Sequence, residues 1–364
     1  MKKIIVFNLT SRWWMLHYWS QFCNALAQKY KVMVVLADYY QGDLYNKNID
    51  KIYLTTNTTI TSFLKDTLNV YQHYECFKKI SKFNPDIVHF IDNHPWYSVY
   101  GLILKERWFL IYTTQHDPTL HSWDNIDLKG KVAIFTNKIL RRISNKLIVH
   151  GDYLKEEMIQ KYWINPERIT SIPHGNYNFF LKRSKQNIAI QENFFLFFWR
   201  IVDYKGLDVL LESLKYIKKS IKDFTLIIAW GWNIEKYRSL LKEHKNYIEV
   251  YNNDIPDEDV YKYFDRVEFV VLPYRDATWS GVISVAYAFS KPVIVTNVWE
   301  LPSVVVDHIT WIVTEKNNIA KLAESIIFML ENKEEVIEMW KRWRKFSERE
   351  LGWDKIIKEV YELK

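Results

Sequence analysis

Ser280 and Gly281 stand where a chain could hold an anion. They open an almost wholly apolar run, 282–289, that reads as a buried helix, and they follow 267–272 (VEFVVL), a strand-like run closed by Pro273. A second β-branched run, 292–296 (PVIVT), comes after the helix. Two buried parallel strands flanking a helix is the expected unit. The first N–H groups of such a helix have no partner within it, and a glycine beside them lets a ligand approach the backbone. The phosphates of a nucleotide suit that chemistry, although a βαβ unit without a ligand gives the same pattern.

Elements of the same kind fill the rest of the chain. Apolar runs at 3–9, 31–37, 52–55, 86–90, 109–113, 146–149 and 169–173 read as strands, with helices expected over 15–29, 61–82 and from Asp152. Residues 10–14 read as the loop after the first strand. After a polar stretch at 178–193, taken as a linker, a second series begins: strands at 194–198, 224–229 and 247–250, helices at 207–219, 234–242 and 256–264. Helices at 319–332 and 334–346 and a segment at 353–364 finish the chain. Strands alternating with helices predict parallel sheets in two α/β domains facing a cleft, with ligands outside the C-terminal strand ends.

Composition bounds the partners. Fifty Lys and Arg against 43 Asp and Glu give +7, which favours an anionic partner without choosing among nucleotide, membrane surface and nucleic acid. Basic residues are scattered and no nucleic-acid module is present, so nucleic acid is not expected. Cys23 and Cys76 lack metal spacing and read as core thiols of a reduced compartment. The apolar start ends at Asn8, too short for a signal peptide, and nothing approaches a membrane span, so a soluble cytoplasmic protein is expected. Lys131, Lys138, Arg141, Arg142 and Lys146, interleaved with apolar residues over 129–146, suit either a solvated face or an anionic lipid surface. Neutralising Arg141 and Arg142 is the expected way to tell them apart.

The string FLFFWRIVDYKGLDVLLESL, with Arg200 and Lys205-Gly206, resembles the opening of the C-terminal domain in retaining, family-four glycosyltransferases of the GT-B fold. NNDIPDED at 252–259 resembles the loop near the nucleotide base, and TTQHDPTLHSWD resembles a family variant in which a His after the fifth strand faces the donor sugar. The resemblance spans nearly the whole chain. It implies an acceptor-side domain at 1–183, a nucleotide-sugar domain at 184–345 and a helical segment at 346–364 that packs back on the first. It implies catalytic roles for His116, with Asp117 beside it, and for Arg200 and Lys205, two fixed cations that would stabilise a leaving diphosphate. Donor contacts are implied for Trp13, Trp14, Asn253, Asp254, Ser280, Gly281 and Glu300. His150 and His174 are expected to be structural.

Departures from the pattern are specific. The family's two glutamates, eight positions apart, are here Ala277 and Val285, leaving Asp276 and Glu300 as the nearest acids. Glycine numbers 9 and tryptophan 16 in 364 residues. Trp13, Trp14, Trp19, Trp123, Trp163, Trp199, Trp230, Trp232, Trp279, Trp299, Trp311, Trp340 and Trp343 stand where glycine is expected, whereas Trp96, Trp108 and Trp353 read as authentic. Glycine at the thirteen would give about 6%, close to the ordinary share of about 7%. A gene using UGA for glycine, translated with tryptophan in its place, explains the pattern.

The sequence thus leads to a GT-B enzyme moving a sugar from a UDP- or GDP-sugar to a saccharide or lipid-linked hydroxyl in cell-surface polysaccharide assembly. No cofactor and no metal are expected, and at most a peripheral association with the membrane. A nucleotide-sugar epimerase of the same fold would need further cleft carboxylates. A catalytically inactive GT-B binding subunit would fit the missing glutamates.

Overall fold

The computed structural model describes residues 1–10, 13–40, 42–57, 59–116, 128–183, 188–231, 234–276, 280–298, 301 and 311–362, apart from the side chains of 13, 14, 60, 128, 129, 182, 183 and 348. The chain forms two compact units, Met1–Pro173 with Trp353–Lys364, and His174–Gly352.

The first unit is a seven-stranded sheet of order β3-β2-β1-β4-β5-β6-β7, every pair parallel. Its strands are β1 (Lys3–Asn8), β2 (Lys31–Ala37), β3 (Asp50–Leu54), β4 (Ile87–Ile91), β5 (Leu110–Thr114), β6 (Lys146–His150) and β7 (Ile169–Ile172). Most central strand residues are buried on both faces, which is why the strands read as continuous apolar runs rather than alternating ones. Between the strands lie α1 (Trp13–Lys29), α2 (Ile60–Leu68), α3 (Val70–Phe83), α4 (Pro95–Glu106), α5 (Leu128–Ile143) and α6 (Asp152–Tyr162).

Three local details depart from the sequence reading. Trp13 and Trp14 begin α1 and are not in the preceding loop. The apolar spacing over 61–82 predicts one helix, but Asn69 divides it: its N–H bonds the carbonyl of Asp66, and its side chain accepts from the Gln72 N–H to start α3. α4 was not anticipated, although His94 caps it and Pro95 sits in its first turn.

The second unit has a six-stranded parallel sheet of order β10-β9-β8-β11-β12-β13. The strands are β8 (Phe194–Phe198), β9 (Thr225–Ala229), β10 (Ile248–Tyr251), β11 (Phe269–Leu272), β12 (Val293–Thr296) and β13 (Ile312–Thr314), the last not foreseen. Its helices are α7 (Leu207–Ser220), α8 (Arg238–Glu243), α9 (Tyr261–Phe264), α10 (Gly281–Ala288), α11 (Ile319–Glu331) and α12 (Lys333–Glu350). Helices expected over 234–242 and 256–264 each begin as a 3₁₀ turn, Glu235–Tyr237 and Asp257–Asp259. Residues 178–183, read as linker, form another 3₁₀ turn with Phe180 buried.

The final helix, α13 (Trp353–Tyr361), belongs to the first unit. Trp353 packs on Tyr18 and Phe22 of α1, and the Tyr361 hydroxyl meets His89 Nδ1 at 2.6 Å, while His89 Nε2 meets Thr114 Oγ1. Burial pushes the His89 pKa down to about 3, so this histidine is a neutral structural link rather than an acid or base at physiological pH. Cys23 and Cys76 are buried free thiols.

Candidate active site

In the second sheet the strand order reverses between β8 and β11, and Arg200, Lys205 and Ser280, which sequence reasoning singled out, lie beyond the C-terminal ends of these two strands. β8 runs into Trp199 and half-buried Arg200, then into a 3₁₀ turn, Asp203–Lys205. Gly206 ends that turn with φ +67. A Cβ there would lie 2.0 Å from the carbonyl oxygen of Pro273, so only glycine lets this turn sit against the end of β11.

Lys205 is only 5% exposed. Its ammonium donates to the Tyr274 hydroxyl at 2.7 Å and lies 3.9 Å from the centre of the Tyr274 ring. Among the described residues no carboxylate pairs with it. Burial, and secondarily the charge of Arg200, holds its pKa well below the ordinary lysine value. Among the described residues the site therefore holds a desolvated amine without a carboxylate partner.

The Tyr274 hydroxyl also lies 3.2 Å from Ser280 Oγ. The tyrosine oxygen accepts from the Lys205 amine, and between the two hydroxyls either oxygen can be the donor. Ser280 is the N-cap residue of α10, yet its side chain makes no capping hydrogen bond to that helix. Lys205 and the start of α10 are thus joined through Tyr274, a residue that the sequence reading did not single out.

Arg275 fixes the two loops to each other. Its guanidinium holds Asp208 through bonds of 2.8 and 2.6 Å, the Asp203 carbonyl and Asn317 Oδ1, while its backbone N–H bonds the Tyr204 carbonyl. Asp208 opens α7, so this pair ties the turn carrying Lys205 to the loop before α10.

The remaining expected residues are dispersed. Asn253 and Asp254 are exposed after β10, and the Gly231 N–H bonds the Asn253 carbonyl, which brings the loops after β9 and β10 together. Gly281 begins α10. Val285 is fully buried within it, so that position contributes packing and no carboxylate. His116 lies in the first unit, after β5, with its ring 5.0 Å from that of buried His150, which also packs on Tyr18. His174 stacks on Tyr177. Trp13 and Trp14 are helical, with side chains outside the description, and Asp117, Ala277 and Glu300 lie outside the described residues. Among the described residues no group of three His, Cys, Asp or Glu is placed to hold a metal ion, and no helix is long and apolar enough to cross a membrane.

Residues 178–349 match the family described as glycosyl transferases group 1, and residues 17–175 match glycosyltransferase family 4. With two Rossmann-like parallel sheets, these matches place the chain among the glycosyltransferases of the GT-B fold. An uncharacterized glycosyltransferase of Methanocaldococcus jannaschii is 28% identical over 267 residues, 72% of this chain and 71% of the relative. Sucrose-phosphate synthase from Thermosynechococcus elongatus superposes with a TM-score of 0.73 at 16% identity, covering 99% of this chain and 97% of its own. Anabaena HepE in complex with UDP gives 0.73 at 13% identity, covering 100% and 99%.

Proposed function

We propose that the chain transfers a sugar from a UDP- or GDP-sugar to a hydroxyl of a saccharide or lipid-linked acceptor, with retention at the anomeric carbon, in cell-surface polysaccharide assembly. The observation that carries the donor side is the buried Lys205, unpaired by any described carboxylate and linked through Tyr274 to Ser280 at the start of α10. A diphosphate placed there would neutralise Lys205 and Arg200 and accept from the Ser280 hydroxyl and the first N–H groups of α10. As the sugar leaves, charge grows on that diphosphate, and these fixed donors stabilise it most at that moment. His116 contacts the sugar near the reacting carbon in this reading, and the reaction uses no metal. The UDP bound by HepE favours a uridine donor. Incubation with UDP- and GDP-sugars and simple acceptor saccharides, followed by NMR of the anomeric proton, tests the reading. An inverted product removes the retaining mechanism; nucleotide binding without transfer leaves the inactive binding subunit.

We also propose that the native protein carries glycine at the thirteen tryptophans named above, and the backbone extends that set. Nine described non-glycine residues have positive φ: five are Asn84, Asp92, Asn193, Ser290 and Asn317, short polar residues that tolerate it. The other four are Trp108, Trp163, Trp199 and Trp230. Trp163 was among the thirteen; Trp108, read as authentic, now joins them, ending α4 at φ +68 with 93% of its surface exposed. Trp163 is 90% exposed, so neither side chain contributes packing that would offset the strain. The double variant Trp108→Gly/Trp163→Gly is expected to gain about 1 kcal/mol of stability per site in chemical denaturation. A loss instead would mean that tryptophan is tolerated there, and tryptophan found at position 199 by mass spectrometry of protein from its native source would end the recoding proposal.

A further inference from the structure

The Arg275 guanidinium, three residues past the end of β11, makes four hydrogen bonds to three other stretches of the chain. Its Nη1 donates to the Asp203 carbonyl at 2.8 Å, in the turn that carries Lys205. Nη1 and Nη2 together hold both carboxylate oxygens of Asp208, in the first turn of α7, and Nε donates to Asn317 Oδ1 at 2.7 Å, in the loop between β13 and α11. The backbone here is held as well. The Arg275 N–H donates to the Tyr204 carbonyl at 2.7 Å, and the neighbouring Tyr274 carbonyl accepts from Thr296 Oγ1 at 2.6 Å, at the end of β12. Asn317 has φ +57, a conformation that persists where surrounding contacts over-determine it.

These contacts fix geometry more than they add stability or charge. Asp208 neutralises the guanidinium, so the pair brings no net charge to the site. With side chains 31% and 39% exposed, an ion pair contributes little to stability by itself. What converges on Arg275 is the position of Lys205: the turn that carries it, the helix that follows it and, through Tyr274, the ring and hydroxyl on which its amine rests. A planar fork of five N–H donors can join so many partners, and a lysine ammonium cannot. We propose that Arg275 is a positioning residue of the donor site, keeping Lys205 seated on Tyr274 before a diphosphate arrives. Arg275 itself does not meet the phosphates; a donor preset by it stabilises them without rearranging first. The seating of Lys205 is independent of the transfer reading, whereas the effect on nucleotide rests on that reading.

Labelling of the Lys205 amine by acetic anhydride in the unliganded full chain, read by peptide mass spectrometry, tests the seating. Lys205 is 5% exposed and should be protected in the wild type. Arg275→Met should label there about tenfold faster, through local opening of the two loops. Asp208→Asn leaves the bonds to Asp203 and Asn317 in place, so it should label at an intermediate rate, and it decides the question if the methionine variant does not fold. Lys333→Met removes ion pairs to Glu192 and Glu268 at the opposite end of β11, and should protect Lys205 as the wild type does. Titration with UDP and GDP and a transfer assay read the consequence. In Arg275→Met nucleotide affinity should fall about tenfold and kcat by up to about 10²-fold. The salt dependence of affinity should stay that of the wild type, because no charge facing phosphate is lost. Unchanged protection of Lys205 in both site variants overturns the proposal, as does an equal loss of protection in Lys333→Met. A flattened salt dependence in Arg275→Met also overturns it, by making Arg275 a phosphate ligand. Wild-type affinity and kcat in Arg275→Met, with Lys205 unprotected, overturn the positioning role. A wild type that binds neither nucleotide counts against the transfer reading instead, and the labelling still decides whether Arg275 seats Lys205.

Discussion

Replacing Lys205 with methionine is expected to raise the melting temperature of the unliganded protein while lowering sugar transfer by about 10²- to 10³-fold. Both effects come from one fact: the ammonium is buried against Tyr274 and lacks a described carboxylate partner. A lysine whose folded-state pKa is depressed binds its proton more weakly folded than unfolded. The resulting penalty is absent above the unfolded lysine value near 10.4 and grows as the pH falls below it, down to the depressed folded value. At pH 7 the penalty is present in the wild type and absent from a methionine of similar volume, with a gain of about 1–3 kcal/mol. The advantage of the variant should therefore shrink as the pH is raised toward 10. Tyr274→Phe keeps the ring under the ammonium and removes only the hydroxyl that bridges Lys205 and Ser280, so its loss of transfer should be smaller. Thermal melts across pH, together with a transfer assay, check this; a methionine variant that melts lower, or that transfers at the wild-type rate, contradicts the assignment of Lys205 as the waiting cation.

Gly206→Ala is expected to cost about 3 kcal/mol or more and to abolish nucleotide binding even where the protein remains folded. Positive φ alone costs an alanine about 1 kcal/mol. The larger part is steric: the new methyl would fall 2.0 Å from the Pro273 carbonyl oxygen, which belongs to backbone and cannot rotate away. Relief requires the turn holding Lys205 to separate from the loop holding Tyr274, and that separation breaks the 2.7 Å bond between them. Denaturant titration of the variant beside a nucleotide titration checks both parts. A variant of wild-type stability would show that the two loops can part freely, and Lys205 would then not be held in place by them.

The second expectation shows where the sequence was legible and where it was not. Strands such as Phe269–Leu272 and the apolar helix after Ser280 announce themselves because doubly buried elements leave unbroken apolar runs. Lys205 and Ser280 could be named from motifs. Tyr274, which joins them, could not, because the bond spans 69 positions and depends on how two loops meet at adjacent strands. The break at Asn69 was invisible for a different reason: apolar spacing continues through it, and only the capping hydrogen bonds separate the two helices. Trp108 reads as an ordinary aromatic until its φ is known. Arg141 looked like one more cation of a basic helix; its cation–π contact with Tyr162, from the next helix, is a tertiary fact.

Titration calorimetry of UDP and GDP against the full chain and against Lys205→Met tests the central claim most directly. It should be done both with the sequence as written and with glycine at the thirteen positions and at Trp108. The account predicts saturable binding of one nucleotide by the glycine form, weakened at least about tenfold by Lys205→Met, through loss of a charge-assisted bond worth about 1.5–3 kcal/mol. Equal affinity in the presence and absence of the Lys205 ammonium, or no binding of either nucleotide by a well-folded chain, would contradict it.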